Sequence, residues 1–447
     1  MAKKITNKLV HLPQDITIDR YEEHPDSLEL FISYPPEERI CPECRSHECV
    51  IHSSGHSETI RHLSIGGKGV LLTFHVPRLR CKSCGRTFHQ HPYFVQPGFK
   101  LSQLAYVTIC EELTTNRSIR QIAIDTGATE SIVYHVMMAA DFDSNRFLPE
   151  TLCIDEFKGS SGRWDPDRSR WDINRFHCNI ADGDFGCVVD ILPQIDKPFL
   201  TEYFHGYSIE KRRKVRFFCC DMHGGFISLA QTCFPSATIC VDNFHTVRLL
   251  KDNMDELRRS LQRHYSSMIV QCTDPIRKQS YQESYLLLKR SLRLLAISAT
   301  GSIPSASREE RTNRVLALSE DLDEAYMAYQ ELLCILHLDV YTLQRAELTE
   351  WISKYSSSLY EGTRRCANTI RHYRSYIQNA WKYGKSNASC EGLNNKIKVL
   401  KRNGYGAHSF KCFRQRILFH CGAMQFVRKA FTISSQKNKK NSKQEEN

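Results

Sequence analysis

The chain has no long hydrophobic run. No apolar stretch approaches the roughly 20 residues that a membrane-spanning helix requires. The first residues, Met1-Ala2-Lys3-Lys4, lead into a mixed polar segment without the apolar core of a secretory signal. No repeat at a fixed period is evident, so a repeat architecture is not expected. We therefore expect a cytoplasmic protein that does not use a membrane.

Acidic residues are comparatively few. The chain contains 61 Lys and Arg against 50 Asp and Glu, which gives a net charge of +11. An excess of cations over a whole chain favours a polyanionic partner, and nucleic acid is the usual one. A solvated basic surface without any partner would have the same charge, so charge alone does not decide between the two.

Cysteine is plentiful, with 19 residues. Thiols stay reduced in the cytoplasm. Most of these cysteines, such as Cys153, Cys219 and Cys240, stand in apolar strand-like runs, where we interpret them as small hydrophobic side chains.

Four cysteines form a different pattern. Cys41 and Cys44 make one Cys-x-x-Cys knuckle, and Cys81 and Cys84 make a second one after 36 intervening residues. Each knuckle turns two thiolates towards one ion, so the pair predicts a structural, tetrahedral zinc site. A redox dithiol is the alternative. The strand-like segment 70–76 would form a hairpin between the knuckles, and the possible substitute ligands are Cys49, His89 and His91.

The region from 101 to 140 is predicted to be helical. One apolar face is expected to consist of Leu101, Leu104, Val107, Ile109 and Cys110. Two short helices follow, with capping residues at their starts and a glycine between them, which is typical of a helix-turn-helix. Helical hairpins that bind no DNA are also common. If the second helix enters a major groove, the candidate DNA-binding residues here are Ser118, Thr129, Glu130, Ser131, Tyr134 and His135.

From residue 151 the pattern changes to strands. Three strands in antiparallel order are followed by helix, strand, helix and strand, which is the order of a ribonuclease-H-like α/β fold. In that fold the first and fourth strands are neighbours. Their ends carry Asp155 and Asp221, and the fifth strand ends at Asp242. Strand alternation predicts that Glu156 points to the face opposite Asp155.

The region 243–380 is helix-rich and charged, and we interpret it as a helical insertion. A further amphipathic helix begins near Glu391, with Leu393, Ile397 and Leu400 on one side. Its other side is polar and cationic. Between 381 and 411 there are seven Lys or Arg and one acid, so Glu391 is either a structural ion-pair partner or a metal ligand beside phosphates.

These motifs together resemble one family. The two knuckles, the helix-turn-helix, the sequence Ile-Asp-Glu-Phe-Lys-Gly at 154–159, the Asp-x-Phe-His motif at 242–245 and the segment 386–406 resemble bacterial insertion-sequence transposases of the ISL-three family. The resemblance implies a ribonuclease-H-like domain with a DDE triad. It assigns Asp155, Asp221 and Glu391 to the triad, with Asp242 as the alternative second aspartate. Otherwise Asp242 and His245 match an accessory motif.

The resemblance also implies chemistry and partners. Asp155, Asp221 and Glu391 would hold two Mg²⁺ ions, with Mn²⁺ as a possible substitute. The partner would be double-stranded DNA, namely the terminal inverted repeats of the element and its target, and pairing two ends suggests a homodimer or higher assembly acting at the nucleoid. The residues expected to contact phosphates are Lys396, Lys398, Lys401 and Arg402. The alternatives are a DNA-binding regulator with a non-catalytic α/β domain and a nuclease of the same fold that never joins ends.

We expect an α+β multidomain chain. The predicted order is a zinc-ribbon-like module with N-terminal strands at 1–98, a helix-turn-helix domain at 99–145 and the first part of the catalytic core at 146–242. The helical insertion at 243–380, the C-terminal core helices at 381–433 and a disordered basic tail at 434–447 complete it.

Overall fold

The computed structural model describes most of the chain. It covers residues 7–35, 38–143, 147–159, 163–165, 170–172, 176–296, 306–403 and 409–423. The predicted tail at 434–447 and residues 404–406 of the family-like segment lie outside the described residues. No helix among the described residues combines the length and the apolar composition that crossing a bilayer demands.

The N-terminal module is a five-stranded sheet, built as the alternating segments predict. Its strand order is β1-β2-β4-β3, with β5 paired to β4. The hairpin of β3 and β4 fills the interval between the two cysteine knuckles, and its core side chains include Leu30, Ile60 and Leu72. The strands are β1 (Thr17–Glu23), β2 (Ser27–Ser33), β3 (Cys49–Ile65), β4 (Lys68–Cys81) and β5 (Thr87–His89).

Three helices follow: α1 (Gln103–Leu113), α2 (Ile119–Thr126) and α3 (Glu130–Ala139). The predicted caps are confirmed, because the Ser118 and Thr129 side chains accept hydrogen bonds from the amides of Gln121 and Ile132. Gly127 ends α2 with a left-handed φ of 70°, which permits the tight turn into α3.

The predicted apolar face of α1 is wrong in part. Leu101 is buried, but Leu104 and Val107 are 38% and 44% exposed. Ile109 is buried as predicted, and the other buried side chains of α1 are Ala105 and Leu113. Leu104 and Val107 border a cavity of about 720 Å³ that also touches the N-terminal residues.

The second sheet has the strand order β10-β9-β6-β11-β12. Strands β10, β9 and β6 are antiparallel, whereas β6, β11 and β12 are parallel. The predicted neighbourhood of the first and fourth strands is therefore confirmed. The strands are β6 (Thr151–Lys158), β9 (Phe176–Asp182), β10 (Cys187–Leu192), β11 (Phe217–Cys220) and β12 (Thr238–Val241), and β7 (Arg163–Asp165) pairs separately with β8 (Arg170–Asp172).

Helices surround this sheet. The helix predicted between the third and fourth strands is two helices, α4 (Lys197–His205) and α5 (Ile209–Arg213), and α6 (Gly224–Cys233) joins β11 to β12. The predicted helix-rich region and the C-terminal segment contain α7 (Asn243–Gln271), α8 (Pro275–Arg290), α9 (Leu292–Leu295), α10 (Ala306–Leu316), α11 (Glu320–Leu336), α12 (Tyr341–Ser356), α13 (Glu361–Tyr383), α14 (Ala388–Asn403) and α15 (Phe410–Cys421).

Helix α13 returns the chain to the sheet, and α14 packs across it. The Asn379 side chain on α13 donates a hydrogen bond of 2.9 Å to the Ile239 carbonyl of β12. Leu393, Ile397 and Leu400 of α14 are buried against the sheet, as predicted, in a core that includes Cys153 and Ala181. This packing brings the start of α14 beside the ends of β6 and β11.

Helix α15 connects the sheet to the three N-terminal helices. Its Arg416 is buried and donates to the carbonyls of Leu113, Thr115 and Arg117 after α1. The Arg414 guanidinium pairs with the buried carboxylate of Asp190 at 2.6 Å. Helices α1–α3 are thereby attached to the second sheet by charged hydrogen bonds as well as by apolar packing.

Candidate metal centre and carboxylate site

The four predicted zinc ligands converge. The sulfur atoms of Cys41, Cys44, Cys81 and Cys84 all lie within 4.8 Å of one another. The Cys41–Cys84 and Cys44–Cys81 sulfur distances are both 3.6 Å. Four soft thiolates at this spacing fit one tetrahedral Zn²⁺ and leave no ligand position open.

The three possible substitute ligands lie outside this group. Cys49 is buried nearby, but its thiol contacts the Ser46 carbonyl at 3.5 Å. The His89 ring packs against His56. His91 lies 3.2 Å from a carboxylate oxygen of Glu58.

A second candidate site lies where β6 and β11 end. A cavity of about 700 Å³ opens there, beside the start of α7 and the first turns of α14. Asp155 comes from β6, Asp221 from the residue after β11 and Glu391 from α14, so three distant segments supply the three predicted acids; Glu156 and Asp252 add further carboxylates. The cavity is also bordered by Glu156, Lys158, His223, Phe244, His245, Arg248, Asn394, Asn395 and Lys398.

Asp155 is the most buried acid of this cavity, with 9% of its surface exposed. One carboxylate oxygen accepts a hydrogen bond of 2.8 Å from the Asn394 side chain, and the other accepts from the Glu156 amide. Burial raises the pKa of Asp155 to about 6, and the negative charges of Asp221 and Glu391 act in the same direction. The surroundings of Asp155 therefore disfavour its ionised form when no cation is bound.

His245 lies between the other two acids. Its Nε2 is 4.0 Å from Asp221 Oδ2, and its Nδ1 is 3.9 Å from Glu391 Oε1. Asp221 Oδ1 is buried and has no hydrogen-bond partner within the described part of the chain. Burial and the charge of Asp242 raise the pKa of Glu391. The imidazole separates two carboxylates that would otherwise face each other.

Asp242 has different surroundings from Asp221. It is the N-cap of α7, and its Oδ1 accepts from the Phe244 amide at 3.1 Å. Its Oδ2 accepts from the Asn387 amide at 3.0 Å, just before α14. The Asp242 carboxylate therefore links the first turn of α7 to the residue just before α14. Asp221, in contrast, borders the cavity.

Glu156 was predicted to point to the face of β6 opposite Asp155, and the side chains of β6 do alternate between two cores. Glu156 nevertheless borders the same cavity as Asp155, and burial, together with the charge of Asp221, raises its pKa. The parallel pairing of β11 with β6 stops at Cys153. Beyond Cys153 that edge of β6 is open, so the cavity extends around it to both faces.

A chain of asparagines supports the carboxylates, and the sequence interpretation missed it. The Asn179 side chain donates a hydrogen bond of 2.9 Å to the Asn394 side chain, which in turn donates one to Asp155. The Asn387 side chain donates 3.1 Å to the carbonyl of Ile154. The position of Asn394, three residues after Glu391 on the polar side of the helix, was the available signal. Its partner depends on the tertiary structure.

The predicted phosphate contacts differ in their surroundings. Lys398 borders the cavity, and Lys396 and Arg402 are exposed. The Lys401 ammonium instead donates to the carbonyls of Lys158 and Gly159 at the end of β6.

The candidate DNA-binding residues of the three-helix region also differ in how exposed they are. Thr129, Glu130 and Ser131 are exposed at the start of α3. Ser118 is partly buried at the start of α2. Tyr134 is half-buried against the helical core, and the exposed His135 packs its ring on Phe99 at 4.9 Å.

The carboxylate site fits a divalent cation of the magnesium type. Three carboxylates from separate elements offer hard oxygen ligands, and no donor among the described residues bonds Asp221 Oδ1. Mg²⁺ prefers oxygen ligands and keeps several waters, so few protein ligands are required. A cation there would also offset the burial that raises the pKa of Asp155.

Comparison with known proteins first gives the class. A family model described as a transposase, of the DDE type and the ISL3 group, matches residues 152–417, which is more than half of the chain. A second model, described as the zinc-finger of transposase IS204/IS1001/IS1096/IS1165, matches residues 37–84. The chain belongs to the ISL3 family of DDE transposases.

One curated relative has a different description. A protein described as an ATP-dependent protease, from Lactococcus lactis subsp. lactis, is 34% identical over 121 residues. The match covers 27% of this chain and 37% of that protein, so the chain spans little more than a third of its relative's length.

Proposed function

We propose that the protein binds the terminal inverted repeats of its own insertion sequence and catalyses DNA cleavage and strand transfer. The observation that carries the proposal is the convergence of Asp155, Asp221 and Glu391 at one cavity in a chain of this family. A ribonuclease-H-like arrangement of the second sheet is part of the proposal.

Asp155, Asp221 and Glu391 are proposed to hold two Mg²⁺ ions, for which Mn²⁺ could substitute. When bound, such ions stabilise the attacking and leaving oxygens of an in-line displacement at phosphorus. Asn394 orients the Asp155 carboxylate through its 2.8 Å hydrogen bond. Asp242 holds the start of α7, which places His245 between the other two acids.

DNA binding is assigned to two surfaces. The exposed start of α3 would read bases in a major groove. Lys398 and Arg402, with Lys396 beside them, would contact phosphates near the cavity, and these contacts are independent of sequence. The domain boundaries set out above and a dimeric or larger active complex acting at the nucleoid complete the proposal.

The decisive experiment incubates the protein with labelled element ends and Mg²⁺. We expect cleavage and joining by the unaltered chain, and loss of both in Asp155→Ala, Asp221→Ala and Glu391→Ala. Retained cleavage in all three variants would refute the triad. A non-catalytic regulator would bind the ends without cutting them, and a nuclease would cut without joining.

A further inference from the structure

Phe244 stands out in the carboxylate cavity. Phe244 is 52% exposed at the rim of a cavity whose lining residues are mostly charged or polar, although Phe157 and Phe176 also line it. Within the described residues, Val247 and Leu249 of the same helix pack against the hydrophobic core, but Phe244 does not. Single exposed phenylalanines are common on protein surfaces, so the location matters more than the exposure.

Helix capping does not explain this phenyl group. Asp242 is the N-cap of α7, so Phe244 is the second helical residue. A hydrophobic staple joins the residue before the cap to the fourth helical residue, which here is Thr246. The Phe244 amide serves the cap, but its side chain is not needed for it.

The ring is held close to the carboxylates. The Phe244 and His245 ring centroids are 5.6 Å apart, at an angle of 87°. His245 in turn contacts Asp221 and Glu391. One imidazole therefore separates the phenyl ring from two of the proposed cation ligands, so a phosphate bound at the carboxylates would have its own nucleotide within reach of the ring.

We infer that Phe244 is a stacking platform for a nucleobase that has left the duplex next to the scissile phosphate. This inference rests on the proposed function. Before cleavage the element end is part of a continuous duplex, in which a paired base is enclosed between its neighbours, so only an unpaired base can present its face to a phenyl ring at this position. Stacking on an aromatic ring tolerates any base, because every base has a π-face. Arg248 and Lys398 border the same cavity and complement the phosphate of that nucleotide.

Phe244 is thus a positioning residue that stabilises an opened DNA end. Two variants separate this role from a structural one. Phe244→Tyr keeps the ring, and Phe244→Ala removes it. Phe185→Ala is the matched control, because Phe185 is 72% exposed in the turn between β9 and β10, at the opposite end of β6 from Lys158.

The first readout is fluorescence of 2-aminopurine placed at successive positions of the element end. It is measured in an Asp155→Asn background so that the DNA stays intact. We expect a change at one or two terminal positions with Phe244 and with Phe244→Tyr, and none with Phe244→Ala. Phe185→Ala, which keeps Phe244, should give the same fluorescence signal as the protein with both phenylalanines. A signal that persists in Phe244→Ala would overturn the inference.

The second readout is cleavage of paired and pre-opened ends. Phe244→Ala should slow cleavage of fully paired ends about ten- to a hundredfold. Ends mismatched at the identified position should be cleaved within about threefold of the unaltered protein, because opening no longer requires the ring. Equal losses on both substrates would contradict the inference and leave the proposed function standing. Failure of the unaltered protein to cleave any end would overturn both.

Discussion

Asp221 and Asp242 follow the ends of neighbouring parallel strands, yet their surroundings differ. Asp242 is occupied by two backbone amides. Asp221 Oδ1 is buried without a donor in the described part of the chain. A buried polar atom without a partner costs free energy, which a bound cation would offset. The surroundings of Asp221 and Asp242 can therefore be used to decide which of them is the second acid of the proposed triad.

Substitution of these two aspartates should separate stability from cleavage. We expect Asp221→Ala to abolish cleavage with little loss of thermal stability. Asp242→Ala should lower the free energy of unfolding by about 1–2 kcal/mol, because it removes a cap. Asp242→Asn should restore most of this stability, since asparagine also caps helices. Denaturation curves and cleavage assays on the same preparations test this. Full cleavage by Asp221→Ala would assign the second position elsewhere.

The buried Asp155 predicts a pH-dependent response to Mg²⁺. Its pKa in the folded chain is raised to about 6. A raised pKa means that this group's contribution to stability is present at low pH and is lost as the pH rises through about 6. A cation that pairs with the carboxylate should therefore stabilise the fold increasingly above that pH.

Thermal unfolding with and without Mg²⁺ measures the effect. The rise in melting temperature caused by Mg²⁺ should be clear at pH 8 and should disappear near pH 5. Asp155→Asn should remove most of it. Glu347→Gln, an exposed acid on α12, should leave it unchanged. An equal rise at both pH values would show that Asp155 is not the group responsible.

At the scale of elements, the N-terminal sheet carries the four-sulfur group at one end, whereas the rest of the sheet has an apolar core of its own. The two knuckles close the ends of β3 and β4, where Cys49 pairs with Cys81 in register. Among the described residues, the apolar cluster around the thiolates is small, with Phe88 packed against it. Bound zinc would therefore supply much of the local stability, as in other small zinc modules.

Metal analysis of the purified full-length chain should find one zinc per protein. Cys44→Ser should lose this zinc and melt the N-terminal sheet before the rest of the molecule. Cys49→Ser is the matched control and should keep the zinc, because Cys49 lies outside the four-sulfur group. Zinc retained in Cys44→Ser but lost in Cys49→Ser would show that the ligand set is wrong.

At the scale of the whole molecule, the net charge of +11 does not mean that every cationic side chain is free to contact DNA. Lys398 and Arg402 are exposed on α14, but the neighbouring Lys401 is occupied by the backbone of β6. Helix α15 joins the three-helix region to the second sheet, so base reading and strand cutting would occur on one connected body. Binding should then reflect contacts from both regions.

The salt dependence of DNA binding tests which cations contact phosphates. Lys398→Gln and Arg402→Gln should each reduce the slope of log affinity against log salt by about one. The decrease should be the same for element ends and for unrelated duplexes. Lys401→Gln should leave the slope unchanged, because its ammonium already serves two carbonyls. An equal loss of slope in Lys401→Gln would refute this assignment.

Local sequence was sufficient for the parts of the molecule that depend on neighbouring residues. The knuckle spacing predicted the four-sulfur group, because each pair of thiols is set by a short turn. Ser118 and Thr129 were predicted as caps, since a cap bonds to an amide three residues away. Apolar runs predicted the five strands of the second sheet, and Leu393, Ile397 and Leu400 were predicted on one helix face. That the first and fourth strands are neighbours came from the expected fold and not from the runs themselves.

Only the tertiary structure decided which side chains meet. Asn394 reaches Asp155 across 239 positions of sequence, and His245 lies between two acids from different elements. Glu156 borders the cavity because β11 ends early, and Leu104 and Val107 of α1 are exposed because other residues of that helix meet the core. Such relations depend on where packed elements end and how they face one another, and periodicity within a single segment carries no information about that.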